Sequence, residues 1–165
     1  MTKRGKSTAG MKAPAVGGAF LVSQVGAHAA NGFARRLSRL RLKPHDAGIL
    51  RMLGSNPGLT QHALSKIMGV FPSQLVALID GLEGRRLIER RSSPEDRRRY
   101  HLYLTKAGRK MLSKIGKLTV QLENDLFTAL HKREQGLFCR FLRRIVSQQQ
   151  LTTGVHPAYK QLGRR

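Results

Sequence analysis

From Val16 to Leu40 the apolar residues Val16, Phe20, Leu21, Val25, Phe33, Leu37 and Leu40 recur at helical spacings, with Ala and Gly in many of the gaps. The pattern predicts a long first helix with more apolar surface than one small domain needs. Pro44 suits the first turn of a second helix over roughly 45–55. The break "SNPG" at 55–58 ends it. Thr60 is placed to cap a short helix carrying Leu64 and Ile67. "GVFPS" then forms a tight corner around Gly69, and Pro72 or Ser73 opens the next helix. There Leu75, Leu78, Ile79 and Leu82 take core-facing positions, while Ser73, Gln74, Ala77 and Gly81 lie largely on the other side. Two short helices around a Gly-containing corner read as a helix-turn-helix whose second helix is free to enter a groove.

The period then changes. "LIERR" and "RYHLYLT" are short strand-like segments. The second alternates, with Tyr100, Leu102 and Leu104 on one face and His101 and Tyr103 on the other. "SSPED" joins them as a turn around Pro94, which predicts a two-stranded hairpin with arginines near its tip. Thr105 can cap a long helix from about 106 to 130, marked by Met111, Leu112, Ile115, Leu118, Leu122, Leu126 and Leu130. A last helix holds Leu137, Phe138, Phe141, Leu142, Ile145 and Val146. The fold class is therefore mainly α, an α+β winged helix: six helices with a two-stranded β-hairpin wing. The expected organisation is a basic arm (1–14), a helical dimerisation region (15–43 and 106–150), a DNA-binding winged helix-turn-helix (44–105) and a basic tail (151–165).

Composition sharpens the picture. The 165 residues suffice for one domain, and 31 Lys and Arg against 9 Asp and Glu give a formal net charge of +22. That excess is far beyond what solubility needs. It favours a polyanion, nucleic acid before an anionic membrane surface. No acid precedes Asp46, and the small-residue-rich basic start reads as a mobile arm without the apolar core of a signal peptide. No apolar run approaches bilayer-spanning length. One cysteine, Cys139, excludes an internal disulfide and a multi-Cys zinc site and fits a soluble, reducing, intracellular setting; the expected location is cytoplasmic, with nucleoid association through DNA binding. Six histidines show no short-range metal spacing, and no residues combine as nucleophile, base and orienting acid. No cofactor, metal or catalytic activity is expected.

The arginine-rich hairpin is explained if its tip meets phosphates. B-form DNA carries one charge per ~1.7 Å of axis, and a narrow minor groove attracts inserted Arg. A thin tip can reach that groove while the helix of 72–84 sits in the adjacent major groove. Asp96 can bond amides of its own turn or hold Arg98 in a forked carboxylate–guanidinium pair. A solvated charged loop is the plain alternative; the upstream helix-turn-helix favours DNA contact. The candidate contact set is Thr60, Gln61, Pro72, Ser73, Gln74, Ala77, Arg90, Asp96, Arg97, Arg98 and Arg99, with the wing over 88–104. On the reading face only Gln74 suits bidentate base recognition, of adenine, so specificity is expected to rest partly on DNA shape. Gly84 reads as a helix end, and Gly81 as a permit for close packing.

The stretch "IDGLEGRRLIERRSSPEDRRRYHLYLTKAG", residues 79–108, resembles the signature of the MarR family of bacterial winged-helix transcription regulators. The match lies in Leu87-Ile88, Arg90, Asp96-Arg97-Arg98, Leu102, Leu104, Thr105 and Gly108. The architectural likeness spans about 16–148. It implies a homodimer with interleaved terminal helices, and a pseudo-palindromic operator in double-stranded DNA. It also implies a regulator, expected to be a repressor, that is released by a small ligand or oxidant. Asp96 and Arg98 carry over as the wing-tip pair, with Arg98 reaching the minor groove. The surplus apolar surface of the first and last helices supports a dimer independently. Peroxide-sensing relatives use a cysteine near the start of the first helix. None stands there, and Cys139, beside Phe138 and Phe141, reads as an apolar filler. Ligand-responsive relatives bind anionic aromatic compounds, and Gln24, His28 and Asn31 are candidates to line such a cavity; polar groups satisfied across a dimer is the simpler reading of them. An architectural, non-specific nucleic-acid binder remains the alternative function, carried by the extreme charge.

Overall fold

Leu37, Ile49, Leu50, Leu53, Leu64, Leu75, Ile79, Leu82, Ile88 and Leu102 are almost fully shielded from solvent, and together they tie four helices and two strands into one core. Each such side chain contributes roughly 1.5–3 kcal/mol by leaving water. They are seen in a computed structural model, which describes residues 16–92, 100–152 and 154–156. The elements run α1 (Gly18–Ser38), α2 (Pro44–Ser55), β1 (Leu59–Thr60), α3 (Gln61–Met68), α4 (Pro72–Gly84), β2 (Ile88–Ser92), β3 (Tyr100–Leu104), α5 (Lys106–Leu126) and α6 (Lys132–Gln148).

Local chemistry sets the element ends. Asp46 accepts a 2.8 Å hydrogen bond from the Lys43 amide at the start of α2. Thr60 caps α3 by accepting from the Ala63 amide at 3.2 Å. Gly69 ends α3 in the left-handed region at φ 64°, where a side chain is disfavoured. Thr105 accepts from the Gly108 amide at 3.0 Å to open α5, and its hydroxyl donates to the Arg86 carbonyl at 2.6 Å. Helix α5 stops at Leu126, four residues before the position its apolar spacing predicts. The turn that follows is closed by Gln135, whose amide donates to the carbonyls of Phe127 and Leu130. That bond comes from the next helix, so the spacing of α5 alone does not reveal it.

The sheet has three strands, not the two expected. Its order is β1-β3-β2, all antiparallel. Strand β2 pairs with β3 through Ile88↔Leu104, Arg90↔Leu102 and Ser92↔Tyr100. Strand β1 adds Leu59↔Leu102 and Thr60↔His101. Two residues carry no readable period, which is why β1 escaped sequence analysis. Gly58, at φ 83°, aims the chain onto β3 and donates its amide to the Leu102 carbonyl at 3.0 Å. The predicted alternation appears at Leu102 and Leu104, both buried; Tyr100, nearer the wing tip, is exposed. The Pro94 turn lies outside the described residues.

Helix α5 packs against α1, α2 and β3. An ion pair between Arg36 and Asp125 ties α1 to it. The first half of α1 and most of α6 stay uncovered. Phe20 is 58% and Phe141 51% exposed, and α6 has no buried residue. No single helix among the described residues is long and apolar enough to cross a membrane.

Candidate nucleic-acid interface

Helices α3 and α4 turn through 111° about the Gly69 corner, within the range of helix-turn-helix units. Leu75, Ile79 and Leu82 of α4 are buried, so the opposite side of the helix must face outward. That side carries Pro72, Ser73, Val76, Ala77, Asp80 and Gly81, all exposed. Gln74 sits at its edge, half-buried, and Leu78 is half-buried on the core side. Sequence reading set Gln74 on the open face and passed over Val76. A helical wheel places 73, 76, 77 and 80 within one arc, so the spacing contained the signal; apolar character argued against it. Thr60 is half-buried and occupied as a cap, with Gln61 half-buried beside it in the first turn of α3.

Arg90 is the best-defined charged group. Its guanidinium bonds Glu83 through Nη1 and Asp80 through Nη2, the latter at 2.5 Å. Its own amide donates to Glu83 Oε1 at 3.2 Å. Burial opposes the charge, but the bond to Asp80 and the nearby Glu83 carboxylate outweigh it and hold the guanidinium above its usual pKa. Arg90 therefore fixes the first wing strand to the last turns of α4 and spends its donors on the protein. The clamp sets the angle between reading helix and wing. Asp80 and Glu83, three apart on α4, are the partners that sequence reading missed. Next to it, Arg91 bonds Glu89 at 2.5 Å and lies 4.4 Å from the Tyr103 ring centroid. Arg85 donates to the carbonyls of Arg41 and Leu40 at 2.7 and 3.1 Å, joining the end of α4 to the α1–α2 turn. Asp96, Arg97, Arg98 and Arg99 lie outside the described residues. Along α5 the exposed Lys106, Lys110, Lys114 and Lys117 form a basic stripe beginning at the base of the wing.

A second feature lies between α1, α2 and α6: a cavity of about 1230 Å³ lined by Asn31, Phe33, His45, Arg51, Leu142, Arg143, Val146 and Val155, among others. Of the three candidate effector residues, Asn31 lines it; Gln24 and His28 are exposed on α1 and stand outside the lining. His45 and Arg51 of α2 are polar lining groups that sequence reading did not select. Burial pushes the His45 imidazole below its usual pKa, with Asp46 pulling it back up and Lys43 adding to the depression. The folded chain thus favours neutral His45, and the unfolded chain binds more protons. Its contribution to stability is complete above about pH 6.5 and is lost as pH falls through the lowered folded-state value. The thermal midpoint is expected to decline on acidification from pH 7, and His45→Gln should shrink that decline. Identical slopes for both proteins would contradict the assignment. Cys139 is half-buried, and no group of three or more His, Cys, Asp or Glu among the described residues could hold a metal ion.

A sequence profile of the MarR family matches residues 42–99, the span of the helix-turn-helix and most of the wing. A protein of Thauera aromatica, named as a candidate transcriptional regulatory protein for the hcr operon, is 35% identical over 117 residues, covering 70% of each chain. The crystal structure of MarR superposes with a TM-score of 0.71 at 27% identity, covering 84% of this chain and 94% of that one. The transcriptional repressor CouR, solved on a 23-mer DNA duplex, gives 0.68 at 29% identity, covering 78% and 91%. With six helices, a three-stranded sheet and the Arg90 clamp among its described residues, the chain belongs to the MarR family of transcription regulators, winged-helix proteins that bind DNA.

Proposed function

We propose that the protein is a homodimeric, sequence-specific repressor that holds a pseudo-palindromic duplex. In this reading α4 enters the major groove, the wing follows the adjacent minor groove with Arg98 at its tip, and a small anionic aromatic ligand releases the complex. The Arg90 clamp carries the reading. It makes a rigid unit of a solvent-facing helix and an arginine-rich wing, which independent charged loops would not need. CouR supports the repressor outcome, since it is a repressor seen on DNA at 29% identity. The uncovered faces of α1 and α6 support the dimer. The cavity beside α6 supports the ligand, because Arg51 and Arg143 offer it positive charge among apolar walls, with the neutral His45 imidazole as a further polar group.

Arg98→Ala tests the wing. Losing one charge-assisted contact in each half-site should weaken operator binding about 10- to 100-fold per contact, with folding intact. Unchanged affinity in an anisotropy titration would remove the wing from the interface. The charge of +22 favours a second reading, a non-specific architectural binder. Competition with unrelated DNA at moderate salt separates them: a regulator keeps at least ~10³-fold preference for its site.

A further inference from the structure

The first turns of α4 present a largely apolar outward face. Phe71, at the helix start, is 60% exposed, and Val76, in the next turn, is 41% exposed. Pro72 and Ala77 extend the patch, with Ser73 between them. Asp80 is occupied by Arg90. No Lys or Arg occurs between Lys66 and Arg85, in a chain that carries 31 of them. A surface built for phosphates alone would be basic here. This one is the least basic part of the described head, flanked by the charged wing. It fits the floor of a groove rather than its walls.

The major-groove floor offers one apolar feature, the C5 methyl group of thymine, and Phe and Ala are suited to touch it. We propose that Phe71 and Val76 select the operator by packing against thymine methyls, with Ala77 extending the apolar contact beside Val76. The inference rests on α4 lying in the major groove, and names what it reads there. From Phe71 at the N-cap to Val76 the chain advances about 7.5 Å, roughly two base-pair steps, so the two side chains can meet methyls about two steps apart. Gln74, half-buried at the edge of the face, is then secondary to these apolar contacts.

The full-length protein is first used to select duplexes from a randomised library. Thymines should be enriched at two or more positions in each half-site. Each is then replaced by deoxyuridine, which lacks only the methyl group. Wild-type affinity should fall about fourfold per methyl removed, the value expected for one buried methyl-sized group. Phe71→Ala and Val76→Ala should each abolish that difference at one position while retaining the wild-type circular dichroism spectrum and melting temperature. Equal binding of thymine and uracil duplexes, or variants that keep the wild-type ratio, would overturn this inference and leave the operator reading standing. No enriched sequence at all would overturn both.

Discussion

A chain carrying Phe141→Asp and Ile145→Asp is expected to run as a monomer and to lose roughly 10²- to 10⁴-fold in operator affinity. Leu137, Phe141 and Ile145 recur every four residues on one side of α6, and all three are exposed in the single chain. Within the described residues this stripe meets no core, so its replacement leaves the central module intact. In the proposed dimer, what it removes is the second reading head. Once one head is bound, the other searches at a local concentration in the millimolar range; without a partner it binds alone. Light scattering and anisotropy on the same preparation check both halves of the expectation. A variant that stays dimeric and binds normally would show that α6 is not the joining surface.

Gly108→Ala is expected to be the most damaging small substitution. A Cβ at this position would run into the carbonyl oxygen of Leu87, a backbone atom that cannot swing aside. The same carbonyl accepts the Thr105 amide at 3.1 Å, and the Thr105 hydroxyl caps α5 through the Gly108 amide. One methyl group therefore pushes α5 away from the root of β2. Overpacking of this kind costs about 1–3 kcal/mol, occasionally more. At about 3 kcal/mol the melting temperature should drop by roughly 6–12 °C for a chain of this size. Gly81→Ala is the control, since a Cβ there meets nothing within 4 Å; it should match wild type or gain slightly from helix propensity. Equal melting temperatures for the two variants would contradict the contact at Gly108.

Much of this arrangement was legible in the sequence because it depends on neighbours along the chain. The caps at Thr60 and Thr105, the corner at Gly69 and the buried row Leu75, Ile79 and Leu82 follow from spacing and side-chain chemistry. What was hidden depends on distant partners. Arg90 has the composition of a phosphate contact, and only the pairing of β2 against the end of α4 commits it to Asp80 and Glu83. Strand β1 is too short to show a period and exists because Gly58 delivers it to β3. Gln74 lies near the border between buried and open faces, where the rotation of α4 decides its exposure. Val76 was overlooked because an apolar residue is taken for core unless the geometry says otherwise. The candidate effector residues on α1 fared unevenly for the same reason: a helix pattern marks polar positions, not which of them a cavity reaches. Asn31 lies where α1 meets α2 and α6, while Gln24 and His28 precede that junction.

The decisive quantity is the mass of the protein–DNA complex formed on a duplex selected from the source genome. The expected result is two chains per duplex, protecting two half-sites whose centres lie about one helical turn apart on one face. A single chain per duplex, or a mass that grows with DNA length without a preferred site, would contradict it.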